Sequence, residues 1–203
     1  LAYGNRGNAR QAQGDLDGAI ADHTMALTLA PSNALAYFNR GNAWLDLRNW
    51  PAAVENYTRA IALAPAKAEA HGNRAVAKEQ MGDYPGSIED SSKAIALAPD
   101  RASGYHIRGI TKTLTRNWKG ARADFDRAVA LEPREPKGYL GRARARGMLR
   151  DWSGALEDSN QALVLAPQSA LALAMRGWVK NGLNDWSGAL ADLDRSFQFD
   201  PTQ

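Results

Sequence analysis

Six prolines, Pro31, Pro65, Pro99, Pro133, Pro167 and Pro201, stand 34 residues apart with no slip. Arginine keeps the same beat at Arg6, Arg40, Arg74, Arg108, Arg142 and Arg176. The residue after each is small: Gly7, Gly41, Ala75, Gly109, Ala143 and Gly177. The 203 residues are six such periods, less one. A fixed period without insertions argues for a stack of repeated supersecondary units, each burying its apolar face on a neighbour. The units run 1–33, 34–67, 68–101, 102–135, 136–169 and 170–203, and are read as one domain over 1–203.

Each unit reads as two helices. In the second, Leu35 to Leu47 shows apolar spacings of three and four with Gly41 as the only breaker. Arg48-Asn49 then punctuates, Asn49 offers an N-cap, and Pro51 suits the first turn of the next helix. The cap position holds Asp15, Asn49, Asp83, Asn117, Asp151 and Asp185, an acceptor in every unit. The second helix should end near Leu63, because the residue before Pro65 is pushed out of the helical region. Close helix approach requires short side chains, supplied at Ala19, Ala53, Ser87, Ala121, Ala155 and Ala189, and again at Ala26, Ala60, Ala94, Ala128, Ala162 and Ser196. Gly41 is expected to face Ala53, and a large residue in these positions would overpack at roughly 1–3 kcal/mol.

The pattern of aromatic, small residue, alanine, aromatic, alanine and proline on this period resembles the tetratricopeptide repeat, over the whole chain. A period of 34 without drift argues against the pentatricopeptide type, whose period is 35. The resemblance implies an all-α fold, a right-handed α-α superhelix or solenoid of six helix-turn-helix units. Two departures stand out. Arginine replaces the leucine usual before the small residue. The second aromatic position holds His23, Tyr57, Ser91, Phe125, Ser159 and Leu193, so units three and five are expected to pack more loosely there.

The periodic polar residues have structural readings. Sixteen residues after each arginine comes Asp22, Asn56, Asp90, Asp124, Asp158 or Asp192, which predicts one hydrogen-bonded pair per unit. Trp50, Trp118, Trp152 and Trp186 share one position at the bend and read as packing. Arg10, Lys78, Lys112, Arg146 and Lys180 fall late in the first helix, where a cation complements the helix dipole, and Arg48, Arg116 and Arg150 sit at the bend. His23, His71 and His106 occupy three different positions and form no cluster, which argues against metal binding and general-base chemistry.

Function is therefore sought in the groove that the family builds from the first helix of each unit, where peptides or proteins bind. Carried onto this chain, the groove wall divides in two. Asn5, Asn39 and Asn73 stand 34 apart, with Asn8 and Asn42 beside them. A primary amide can pair with the backbone of an extended peptide whatever its side chains. This row resembles the asparagine ladder in the superhelix of protein O-linked N-acetylglucosamine transferases, and it breaks at Ile107, Gly141 and Met175. The second half is apolar: Ile107, Ile110, Leu114, Leu140, Met148, Met175 and Trp178, with Lys137 and Arg144 at its edge to welcome a carboxylate. The family's carboxylate clamp for chaperone tails needs paired cations that Gly4, Glu69 and Asn73 do not supply, so chaperone-tail binding is not expected.

Other classes receive little support. No nucleophile constellation, phosphate-cradling glycine loop or metal-ligand spacing is present, so neither an enzyme nor a cofactor or metal site is expected. Units four and five, at +3 and +2, are the only basic zone in a chain of net charge +3, and acidic residues interleave everywhere, which argues against nucleic acid. No apolar run approaches the roughly 20 residues of a membrane helix. The absence of cysteine suits cytoplasm, which is favoured, and periplasm alike. The chain begins at Leu1 rather than methionine, which suggests a piece of a longer or processed protein. Leu193, Phe197 and Phe199 on the final helix lack a covering segment. Either further protein beyond Gln203 or end-to-end packing of copies into a homo-oligomer is expected there, the latter as an alternative role for the whole chain.

Overall fold

A computed structural model describes residues 2–200; Leu1 and 201–203, including the last of the six prolines, lie outside the described residues. Twelve α-helices and no strand are found among them. The first helices of the six hairpins are α1 (Ala2–Ala12), α3 (Ala34–Asp46), α5 (Ala68–Gln80), α7 (Ala102–Leu114), α9 (Pro136–Met148) and α11 (Ala170–Gly182). The second helices are α2 (Leu16–Leu29), α4 (Trp50–Leu63), α6 (Tyr84–Leu97), α8 (Trp118–Leu131), α10 (Trp152–Leu165) and α12 (Trp186–Phe199). Each helix therefore falls within a residue or two of where caps and proline place it.

The local chemistry explains these boundaries. All six predicted caps accept a backbone N–H three residues on, as Asp151 does from Gly154 at 3.0 Å and Asn49 from Ala52 at 3.2 Å. The chain reverses between paired helices through one residue of positive φ: Gly14, Arg48, Gly82, Arg116, Arg150 and Asn184. That conformation follows a helix C-terminus and suits glycine, so the arginines at the bend hold it at a cost.

Contacts group the chain into two compact units, divided between Pro99 and Asp100. In the first, α2 packs on α3 and α4 on α5, while α1, α3 and α5 touch in a row. In the second, α8 packs on α9 and α10 on α11, with α7, α9 and α11 in a row. Each unit thus buries small residues between hairpins; Ala53, Ala77, Ala143, Ala145 and Ala155 are fully enclosed. Tyr57 and Phe125 are the largest buried side chains, each worth about 1.5–3 kcal/mol of apolar burial. The glycine after the arginine exists for them. A Cβ on Gly41 would stand 2.8 Å from the Tyr57 ring, so its tight neighbour is Tyr57, one turn past the expected Ala53. Ser91 and Ser159 are fully buried and return their hydroxyls to carbonyls of their own helices. Met175 of the next hairpin packs with Ala143, Ala155 and Val179, one turn from Ser159, where looser packing was expected.

The arginine ladder is present in every hairpin. Arg6, Arg74, Arg108, Arg142 and Arg176 hold their aspartates through Nε and Nη2, and Arg40 donates through Nε to Asn56. Two features exceed the sequence reading. The cation four residues after the arginine, besides sitting in the last helical turn, shares the same aspartate: Arg10, Lys78, Lys112, Arg146 and Lys180 approach at 2.7–3.2 Å. In hairpin two that position is Trp44 and the acceptor is the neutral Asn56. Two cations thus accompany each carboxylate, and one accompanies the amide. Within each unit the arginine also donates its Nη1 to the preceding hairpin, from Arg40 to Thr24, Arg74 to Thr58, Arg142 to Asp126 and Arg176 to Asn160.

Candidate functional site

In the first unit the asparagines come together as a polar row on α1, α3 and α5. Asn39 donates to Asn8 at 3.0 Å, and Asn73 donates to Asn42 at 2.9 Å. Asn42 also accepts from the Tyr57 hydroxyl at 2.8 Å. The amides thus knit neighbouring hairpins, a use that spacing alone did not reveal. Each amide has two donors and two acceptor lone pairs, so Asn39 and Asn73 have hydrogen-bonding capacity beyond these contacts. Asn5 is exposed.

In the second unit the apolar residues line a cavity of about 290 Å³ on the α7, α9 and α11 row. Ile110, Phe125, Leu140, Leu171 and Met175 form its apolar lining, with Thr113 and Gly141 between them. Lys137 and Arg144 stand at its rim, both exposed, and no carboxylate lines it. Gly141 makes room for the floor, since a Cβ there would come within 2.4 Å of the Phe125 ring. At this position the asparagine row gives way to glycine, and the Phe125 ring takes the space a side chain there would occupy. His106 lies edge-on to Phe125, with ring centroids 5.7 Å apart. Burial and the nearby Lys137 push the His106 pKa down, and Glu135 opposes the shift. An adjoining cavity of about 230 Å³ shares His106 and Lys137 and carries Glu132 and Glu135.

The predicted apolar wall is thus partly brought together. Ile110, Leu140, Arg144 and Met175 converge on the cavity. Leu140 is floor rather than exposed patch, at 8% exposure within the core cluster of Ala162, Leu163 and Leu173. Ile107 is half-buried and outside the lining. Trp178 turns away: it packs edge-on against Trp152 at 5.2 Å, over Gly147, and borders a separate cavity between α11 and α12. His106, on the first-helix wall of the fourth hairpin, joins this lining, whereas Phe125 was not singled out for the site by spacing, since it sits on a second helix. No group of His, Asp or Glu among the described residues could hold a metal ion, and no described helix is long and apolar enough to cross a membrane.

Caps, paired helices and a 34-residue ladder define an all-α protein of repeated helical hairpins. Tetratricopeptide repeat family models match residues 7–47 and 34–67. Solved structures extend the likeness along the chain. The type IV pilus biogenesis factor PilW is 19% identical with a TM-score of 0.89, covering 100% of this chain and 94% of its own. PilF of Pseudomonas aeruginosa is 19% identical with a TM-score of 0.85, covering 100% and 92%. YrrB, a tetratricopeptide repeat protein with an unusual peptide-binding site, is 18% identical with a TM-score of 0.70, covering 88% and 92%. A search of curated proteins finds no match. The chain thus carries tetratricopeptide repeats over residues 7–67 and the tetratricopeptide-type helical fold along its length, a fold that commonly mediates protein–protein interaction and is generally non-catalytic.

Proposed function

We propose that this protein is an interaction scaffold that binds an extended peptide, or an extended segment of a partner protein, on its first-helix faces. The observation that supports this reading best is the cavity of the second unit. It offers apolar walls from three successive first helices and two cations at the rim, without a lining carboxylate. An apolar surface left open beside unpaired cations suits an apolar side chain next to an acidic group. The polar row of the first unit adds amides that pair with peptide backbone irrespective of sequence. The peptide-binding site of YrrB is a property of that protein, and its fold likeness makes a comparable use of this one reasonable.

Selection from a peptide library on the purified chain tests the reading, run beside Ile110→Asp and Arg144→Glu. Both positions lie on the cavity wall or rim and outside the arginine ladder. Enriched peptides with an acidic residue near an apolar one, lost by both variants, are the expected result. Peptides that bind both variants as tightly as the parent chain refute the site.

A further inference from the structure

The smaller of the two adjoining cavities in the second unit is lined by two residues that break the repeat. Glu132 is the C-cap of α8, a position that alanine holds in four of the other five hairpins, at Ala30, Ala64, Ala98 and Ala166. A carboxylate there faces the negative end of the helix dipole, so it does not serve the helix. Glu135 precedes α9 at the position where Asn33 and Ser169 cap their helices through the side chain, and it makes no such bond. Both glutamates are exposed, and neither carboxylate makes an ion pair or hydrogen bond among the described residues. They stand over a buried floor of Ala102, Ala128 and Gly138, with Ser103 beside them.

His106 and Lys137 line both cavities and so divide them. Two carboxylates and one ammonium surround the smaller cavity, whereas two cations and no carboxylate surround the larger. The charge therefore changes sign across the divide. Along α7 the smaller cavity touches Ala102, Ser103 and His106, and the larger touches His106, Ile110 and Thr113. Their centres lie about six residues apart on the helix, or roughly 9 Å at 1.5 Å per residue. An extended segment of polyproline-II type turns once every three residues over about 9 Å. It therefore presents side chains three positions apart to the same face at the distance that separates the cavities.

We infer that the smaller cavity is a second subsite of the groove, which takes a lysine or arginine side chain of the bound segment. That residue lies three positions from the apolar residue in the larger cavity, on the side away from the acidic one. The inference rests on the peptide-binding reading above and adds a basic residue to it. The methylenes of such a side chain lie on the alanine floor, and its charged head meets the two carboxylates and the Ser103 hydroxyl. The cation also offsets the unfavourable placing of Glu132 at the end of α8.

Peptide-library selection on the whole chain provides the test, run with the parent, Ile110→Asp, the double variant Glu132→Gln with Glu135→Gln, and the double variant Glu132→Lys with Glu135→Lys. Both glutamates are exposed, so helicity by circular dichroism should match the parent. The parent is expected to enrich lysine or arginine three positions from the apolar residue. The neutral double variant should lose that preference, and the charge-reversed one should select aspartate or glutamate there instead. Replacing the basic residue of an enriched peptide by glutamine should weaken binding to the parent about tenfold in fluorescence anisotropy, and to the neutral variant less than about twofold. Peptides that the parent enriches and Ile110→Asp loses, but that carry no basic residue at this spacing, overturn the second subsite and leave the larger cavity standing. A basic preference that survives in the neutral double variant does the same. Peptides indifferent to Ile110→Asp overturn both readings.

Discussion

Neutralising one carboxylate of the ladder should reveal why hairpin two differs from the rest. Asp192 accepts from Arg176 Nε at 2.7 Å and Nη2 at 2.5 Å, and Lys180 Nζ lies 2.7 Å away. Its side chain is 4% exposed, while both cations are 21% exposed. Removing one member of a buried ion pair costs about 3–5 kcal/mol when the remaining charge is stranded. Here water reaches both cations, so Asp192→Asn is expected to cost about 2–3 kcal/mol. Lys180→Met alone removes one charge-assisted hydrogen bond, about 1.5 kcal/mol. The double variant recreates the hairpin-two arrangement, in which Arg40 donates to Asn56 and the amide donates back to the Ala52 carbonyl. It should therefore cost at least about 1 kcal/mol less than the sum of the single changes. Urea unfolding followed by tryptophan fluorescence measures all four corners of the cycle. Additivity within about 0.5 kcal/mol refutes the charge-matching argument. The pH dependence gives a second check. Burial alone would raise the Asp192 carboxyl, but the hydrogen bonds from Arg176 and Lys180 hold it below the usual range. Its contribution is complete above the unfolded value near 3.8 and is lost as pH falls through the lower folded value. The gap between the parent chain and the double variant should narrow below about pH 4 and stay constant above about pH 5.

Other perturbations follow from the same contacts. Arg48→Gly, Arg116→Gly and Arg150→Gly relieve positive φ values of 58°, 59° and 64°, and each should raise stability by about 0.5–1 kcal/mol in thermal melts. His23 is fully buried with neither ring nitrogen hydrogen-bonded, and burial lowers its pKa. Its depressed folded pKa makes stability fall as pH drops below about 6.5, so His23→Phe should stabilise by about 1–2 kcal/mol and flatten the profile between pH 5 and 7. An unchanged profile would contradict the assignment. Gly141→Ala places a methyl within 2.4 Å of Phe125 and should cost about 1–3 kcal/mol in urea unfolding, whereas Gly4→Ala, with nothing within 4 Å, should cost nothing measurable.

Much of this protein is a consequence of sequence alone. Proline, cap and small residue act over a few positions, through φ restriction, a side chain reaching three residues on, and steric access. Their periodic recurrence therefore predicted the helix ends and the hairpin. The Arg–Asp pairing was legible for the same reason, since a separation of sixteen within a hairpin of known pitch leaves one partner in reach. What lies between hairpins was less legible. That Asn39 is bonded to Asn8, that Arg142 reaches Asp126, and that the Phe125 ring fills the space a side chain on Gly141 would take all depend on how one hairpin sits on the next. Trp178 shows the limit most plainly: its place in the repeat puts it on the groove wall, but Trp152 and Gly147 of the preceding hairpin offer it a better packed site. Side-chain direction across an interface is settled by the volumes available there, and those volumes exist only once the helices have packed.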